Sequence, residues 1–123
     1  MLDTSVFIAT ESGRPLGAVP AAAAISVITL AELHLGVLMA ERAAVRNRRL
    51  RTLLAVQDTF EPIPIDAEIA RAFAEIVAAA RALSRRPKIM DTWIAATAVA
   101  RDLPLYTQDE DFLSIPRVHV VRV

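Results

Sequence analysis

Asp91-Thr92-Trp93-Ile94-Ala95-Ala96-Thr97-Ala98-Val99-Ala100, followed after Arg101-Asp102 by Leu103-Pro104-Leu105-Tyr106-Thr107, is the stretch on which the fold turns. After Asp91 there is almost no polar group until Thr97 and Arg101, so a helix here is apolar nearly all round. Such a helix is normally buried. The short run behind it, Leu103 to Thr107, reads as a buried strand. A buried helix feeding a buried strand belongs to a layered α/β domain.

Working outward, periodicity and chain breakers supply the other elements. Met1-Leu2 reads as the end of a strand, and Thr4 to about Thr10 as a short helix. Gly13 and Pro15 break the chain. Ala23 to Val27 is a second candidate strand, Thr29 to Met39 a helix, and Glu41 to about Gln57 another. Pro62 and Pro64 reduce Phe60–Ile65 to an edge strand or extended connection. Asp66 is placed to cap a helix whose Ile69, Phe73, Ile76, Val77 and Ala80 recur at helical spacing. A basic loop, Ser84 to Lys88, precedes the helix that starts near Asp91, and Val118 to Val123 is a last strand. Strands alternating with helices predict a largely parallel sheet, whose ligands bind beyond the carboxyl ends of the strands.

At 123 residues, 54% of them apolar, the chain is expected to form one domain, residues 1–123, with an ample core. No charge-free apolar run is long enough for a membrane span, and no signal peptide is evident at the start. The absence of cysteine removes disulfides, thiolate metal sites and cysteine nucleophiles. A cytoplasmic setting is expected. Net charge is zero, from 14 basic and 14 acidic residues, but the basic ones are bunched. Arg42, Arg46, Arg48, Arg49 and Arg51 form one group, and Arg85, Arg86 and Lys88 another. Local fields of this kind suit nucleic acid more than the zero total suggests.

Four acids sit where a parallel sheet gathers side chains. Asp3 ends the first strand, Glu32 lies in the first turn of a helix, Asp91 opens the buried helix, and Asp109 follows the Leu103–Thr107 strand. Each has a bland reading too. Asp3 and Asp91 stand where N-caps stand, Asp109 where a turn residue stands, and Glu32 on what can be a solvated face. Together they suit a hard cation, because converging carboxylates repel unless a cation compensates. Oxygen-only ligands favour Mg²⁺ or Mn²⁺ over zinc. Two such ions about 3.5–4 Å apart activate a water and stabilise the leaving oxygen of a phosphodiester.

The segments around these acids carry a resemblance. Leu2-Asp3-Thr4-Ser5-Val6-Phe7-Ile8-Ala9 resembles the start of PIN-domain nucleases, specifically the VapC-type toxins of bacterial toxin–antitoxin pairs. Thr29-Leu30-Ala31-Glu32-Leu33-His34-Leu35-Gly36-Val37, Asp91-Thr92-Trp93-Ile94-Ala95-Ala96-Thr97-Ala98 and Leu105-Tyr106-Thr107-Gln108-Asp109-Glu110-Asp111-Phe112 follow in matching order and spacing. The resemblance covers essentially the whole chain. It implies a parallel five-stranded sheet flanked by helices, Mg²⁺ or Mn²⁺ at the acids, and endonucleolytic cleavage of RNA. By position Asp3, Glu32 and Asp91 match the family's metal-binding acids and Asp109 its fourth. Asp111 is an auxiliary acid, and Thr4, Ser5 and Thr107 match hydroxyl residues that hydrogen-bond around the site. The resemblance also implies an antitoxin that docks in a groove of the early helices. One departure is the brevity of the segment before Asp3: two residues stand where family members have several, so the first strand is short or begins upstream.

The remaining features also admit plain structural roles. Arg85, Arg86 and Lys88, just before Asp91, are candidates for contact with the RNA backbone, or else a surface loop. Arg42, Arg46 and Arg49 form a stripe that suits either RNA or a salt-bridged face. Trp93 reads as core or dimer interface, with base stacking the weaker reading. His34 and His119 have no evident catalytic partner. The apolar surplus on Thr29–Met39 suggests an interface, hence a homodimer or a partner chain, unless the next helix covers it. The expected activity is a metal-dependent endoribonuclease leaving 5′-phosphate and 3′-hydroxyl ends. The alternatives are a housekeeping RNA-processing nuclease and a catalytically silent binding module. A haloacid-dehalogenase-type phosphatase needs a second Asp two positions after the first, where Ser5 stands.

Overall fold

Leu2 lies between two other chain segments, bridging Ile25 on one side and Tyr106 on the other, both in parallel. The computed structural model describes residues 1–123. Five helices come first: α1 (Thr4–Ser12), α2 (Val27–Leu38), α3 (Ala43–Thr59), α4 (Ala67–Ala82) and α5 (Ile89–Ala100). Strand β1 (Leu105–Thr107), a 3₁₀ turn (Glu110–Ser114) and strand β2 (Val120–Arg122) follow. β1 and β2 pair in parallel, with Leu105 opposite Val120 and Thr107 opposite Arg122. Beyond Leu2 and Ile25, Ser26 bridges Ile63.

Where five strands were expected, the sheet has two continuous strands, and the other three segments join it through isolated bridges. The reasons are local. Asp3 caps α1 directly after Leu2, and α2 takes over from the second segment at Val27. Pro62 and Pro64 flank Ile63 and have no N–H to offer a ladder. Ile63 alone exchanges bonds with its neighbour, donating to the Ile25 carbonyl at 2.9 Å and accepting from the Val27 amide at 3.0 Å.

Successive residues of an extended segment face opposite ways, and here this separates two cores. Met1 and Leu105 join Ile69, Ile76, Ile94, Ala95 and Phe112 on one side. Leu2 and Ile25 join Leu33, Leu53 and Val56 on the other. Accordingly α4 packs on α5 and α2 on α3. Trp93 is half-buried against the first core, stacked on Phe73 of α4 with ring centroids 3.9 Å apart.

Side-chain caps set several helix ends. Asp3 Oδ2 accepts from the Ser5 amide at 3.1 Å, Ser26 Oγ from Ile28 at 3.1 Å, and Asp66 Oδ1 from Ile69 at 2.9 Å. Gly13 closes α1 at φ 69°, a left-handed conformation that glycine adopts without strain. Because Ser26 is the cap, α2 starts before Thr29, and Glu32 falls in its second turn rather than its first. α5 starts at Ile89, so Asp91 lies inside the first turn and is not the cap. The expectation that Asp91 opens the helix is corrected accordingly.

The arginine stripe is spent largely on packing. Arg49 Nη1 donates to the Gly36 carbonyl at 2.6 Å and Arg46 Nη2 to the Ala40 carbonyl at 2.7 Å. Both satisfy carbonyls at the carboxyl end of α2, where positive charge is favourable. Arg42 stands at the start of α3 without a side-chain cap bond. No helix is long and apolar enough to cross a membrane.

Two substitutions test this packing by urea denaturation. Ile76 is fully buried, and Ile76→Ala is expected to cost about 2–5 kcal/mol. Thr29 is also fully buried, and its hydroxyl has no partner. Thr29→Val keeps the shape and removes the unmet hydroxyl, so it is expected to stabilise by about 1 kcal/mol. A loss of stability instead would mean that a buried water completes that hydroxyl.

Candidate functional site

At the carboxyl ends of the extended segments, Asp3, Glu32, Asp91 and Asp109 line one pocket of about 410 Å³. Thr4, Ser5, Ile8, Leu35, Gly36 and Met39 complete its wall. Each acid arrives by a different route. Asp3 is held by its backbone, whose amide donates to the Tyr106 carbonyl at 3.0 Å. Glu32 reaches in from α2, and Asp91 from the first turn of α5. Asp109 caps the 3₁₀ turn, accepting from the Asp111 amide at 2.9 Å. Carboxylate oxygens of Asp91, Asp109 and Asp111 come within 4.8 Å of one another.

Thr107 organises the floor. Its buried hydroxyl donates to Asp3 Oδ2 at 2.9 Å and accepts from the Asp109 amide at 2.9 Å. With that proton committed to the carboxylate, the Ser5 hydroxyl at 3.1 Å acts as donor to Thr107. Ser5 Oγ in turn accepts from the Gln108 amide at 2.9 Å. The Thr4 hydroxyl donates to Glu32 Oε2. Three short hydroxyl side chains thus fix two of the four acids and the turn that carries a third.

The electrostatics are those of like charges forced together. Burial pushes the Asp91 carboxyl up to about 6. The charges of Asp109, Asp3 and Glu32 add to the rise, and Lys88 opposes it. Glu32 is raised as well, mainly by burial and then by Asp3 and Asp109, against the lowering effect of the Thr4 hydrogen bond. Asp91 Oδ2 is buried and has no hydrogen-bond partner. A buried carboxylate oxygen without a donor is costly. This orphaned oxygen, in an all-oxygen donor set, fits a hard divalent cation.

The basic residues ahead of Asp91 divide in role. Lys88 Nζ pairs with Asp111 Oδ2 at 2.6 Å. The hydrogen bond and charge of Asp111, and then the charge of Asp91, hold its ammonium above its usual pKa. Arg85 Nη1 donates to the Ser114 carbonyl at 3.2 Å, and Arg86 is exposed. The pairing of Lys88 with Asp111 was not legible in the sequence, because it joins the start of α5 to the 3₁₀ turn, two segments far apart in the chain. Apolar residues also rim the site. Ile8 is 47%, Leu35 55% and Met39 69% exposed, so α3 does not cover this edge of α2. His34 and His119 are both exposed.

The sign of the pH dependence follows from Asp91. Its folded-state pKa lies above the usual carboxylate value, so the folded, cation-free protein holds a proton that the unfolded chain has lost. Stability is therefore expected to fall as pH rises from about 4 through about 6. Mg²⁺ or Mn²⁺ should offset the loss, increasingly so above that range. Melting curves in chelator and in Mg²⁺ across this range check the expectation. A cation-free profile identical to that of Asp91→Asn would contradict it.

Residues 1–118 match the PIN domain family. Ribonuclease VapC5 of Mycobacterium tuberculosis is 46% identical over 128 aligned residues, which span 100% of this chain and 94% of the relative. Ribonuclease VapC4 of the same organism is 42% identical over 125, spanning 100% and 95%. The crystal structure of VapBC-5 from Mycobacterium tuberculosis, a member of the VapBC family of toxin–antitoxin systems, contains a chain with 42% identity and a TM-score of 0.87 to this one. The likeness covers 99% of this chain and 96% of that chain. With residues 1–118 matched to the family, identity above 40% along the whole length and a shared fold, the chain belongs to the PIN-domain family and, within it, to the VapC group.

Proposed function

We propose that this chain is a divalent-metal-dependent endoribonuclease and the toxin of a type II toxin–antitoxin pair, acting in the cytoplasm as a single domain. The observation that carries this reading is the partnerless, buried Asp91 Oδ2 in a pocket shared with Asp3, Glu32 and Asp109. These four acids would hold Mg²⁺ or Mn²⁺, with Asp111 as an auxiliary. When bound, such an ion would supply Lewis acidity for activating water and offsetting charge on the phosphodiester. The chain's own residues orient the acids: Thr107 and Ser5 fix Asp3, and Thr4 fixes Glu32. No side chain is needed as nucleophile.

RNA is positioned through its backbone rather than read by base. Arg85 and Arg86, exposed in the loop that precedes α5, contribute positive charge to that contact. Lys88 reaches the acids themselves and offsets their field where the phosphate enters. The names of VapC5, VapC4 and the VapBC-5 complex support both the ribonuclease reading and an antitoxin partner. On this chain the exposed Ile8, Leu35, Leu38 and Met39 offer that partner an apolar rim next to an acidic pocket. A partner arginine suits the carboxylates, since it pairs with them bidentately. The same apolar surplus supports a homodimer.

Asp91→Asn is expected to abolish cleavage of single-stranded RNA in Mg²⁺ or Mn²⁺ without lowering the melting temperature. The residue caps nothing, and the change removes a desolvated charge. Retained cleavage would remove Asp91 from the metal site. Thr107→Val should leave a folded protein with metal affinity reduced roughly tenfold or more, as loss of a ligand-orienting hydrogen bond typically does. Titration calorimetry with Mn²⁺ measures it, and an unchanged affinity would deny Thr107 that role.

The partner is tested by co-expression with the product of the adjacent small reading frame and purification through a tag on either chain. Co-purification with suppressed cleavage is expected. If the two do not co-purify and the chain alone leaves growth unaffected, an RNA-processing nuclease becomes the better account.

A further inference from the structure

A second cavity, of about 210 Å³, lies against the acidic pocket and shares four wall residues with it: Thr4, Ile8, Glu32 and Gly36. At roughly 30 Å³ per water it has room for a hydrated phosphate group. Its far wall carries Arg48 and Arg49 of α3, with Ser12 and Glu11 of α1. The two guanidinium groups are held but far from used up. Arg49 spends one N–H on the Gly36 carbonyl. Arg48 spends Nε on Glu11 Oε1 at 3.1 Å, and its two terminal nitrogens have no protein partner. Glu11 is committed on both oxygens, since Oε2 accepts from the Thr52 hydroxyl at 2.9 Å, and its side chain is only 9% exposed. It therefore offsets one of the two positive charges and leaves the other. Glu32, on the shared wall, faces the acids whose charge a divalent cation offsets.

We propose that this cavity is a phosphate subsite, in which Arg48 and Arg49 take a backbone phosphate of the RNA strand that flanks the phosphate being cut. The inference rests on the ribonuclease reading above. RNA offers a phosphate at every nucleotide, so a strand lying in the acidic pocket carries one past the shared wall. Guanidinium forks match phosphate bidentately, and the free terminal nitrogens of Arg48 provide such a fork. Glu11 acts as the holder that grips Arg48 by Nε and tempers its charge. The acidic pocket repels a strand except at its metal, so a positive subsite next to it supplies attraction that the catalytic acids cannot.

The test uses the full chain carrying Asp91→Asn and a fluorescein-labelled, mixed-sequence 12-nucleotide single-stranded RNA, with binding followed by anisotropy in Mg²⁺ over a range of salt. Adding Arg48→Gln is expected to weaken binding roughly tenfold, as loss of a charge-assisted contact does. It should also reduce the slope of log affinity against log salt by about 0.7, the single-strand value for one phosphate. Glu11→Gln should act the other way and tighten binding several-fold, because it releases the charge of Arg48. Arg48→Lys should fall between. A merely structural pair would weaken binding in both Arg48→Gln and Glu11→Gln, in step with melting temperature, and that result overturns the proposal. So does an unchanged salt slope. So does Arg48→Gln losing the co-expressed protein partner while RNA binding is intact, which would assign the cavity to a partner's acidic side chain. Absence of metal-dependent RNA cleavage by the unmutated chain would instead overturn the ribonuclease reading. Cleavage by that chain, with an unaltered slope in Arg48→Gln, overturns the subsite alone.

Discussion

The backbone of Met1–Asp3 exchanges hydrogen bonds with chain more than a hundred residues away. Tyr106 donates to the Met1 carbonyl at 2.8 Å, and Asp3 donates to the Tyr106 carbonyl at 3.0 Å. On the other edge Leu2 donates to the Ala24 carbonyl at 2.9 Å. Three residues thereby set the register of the parallel layer. Met1 turns into the α4–α5 core and Leu2 into the α2–α3 core. Asp3 is left at the carboxyl end with Thr107 beside it. A slip by one residue would exchange the two cores and turn Asp3 away from the pocket. The pocket, the caps and both helical layers depend on this short central pairing.

Given that register, the site is a balance between repulsion and restraint. The folding of two hydrophobic cores drives Asp3 and Asp91 into burial, and the chain does little to satisfy Asp91 once there. The opposing cations are few: Lys88 at Asp111, and no arginine among the pocket's lining residues. Four arginines serve elsewhere: Arg49 and Arg46 on the carbonyls of Gly36 and Ala40, Arg48 on Glu11, and Arg101 on Asp66 and Glu68. Fold stability and charge accumulation therefore oppose each other at this point, and a bound cation relieves both. The hydroxyls of Thr4, Ser5 and Thr107 cost little to bury when paired and hold the carboxylates in place without neutralising them.

Much of this was legible in the residues. The all-apolar face of α5, the 3.6-residue period of α4 and the cap at Asp66 are local patterns, and the helices they predict are present. Asp3 and Asp109 were legible because they sit at a strand-to-helix and a strand-to-turn junction, and a parallel sheet puts such junctions at one edge, whereas Glu32 and Asp91 reach that edge from inside α2 and α5. Local signals misplaced some boundaries. α2 begins at Val27 and not at Thr29, because the Ser26 hydroxyl accepts from the Ile28 amide and caps the helix there. α5 begins at Ile89 with no side-chain cap at all. The sheet was overread for the same reason. Ile25 and Ile63 look like strand residues, yet neighbouring prolines and an early helix start leave each with bonds for a single bridge.

The sequence by itself determined the order of elements, the absence of thiol chemistry and the set of acids available to one pocket, since these follow from composition and short-range spacing. Only the tertiary structure decided what those residues touch. It placed Asp91 inside a helix turn with an oxygen that nothing satisfies, and set Lys88 against Asp111. It committed Arg46 and Arg49 to helix-end carbonyls, and left Leu35 and Met39 bare at the rim. The physical reason is one of range. Periodicity and caps act over one or two turns of chain, whereas burial and charge pairing depend on which distant segments the parallel register brings together.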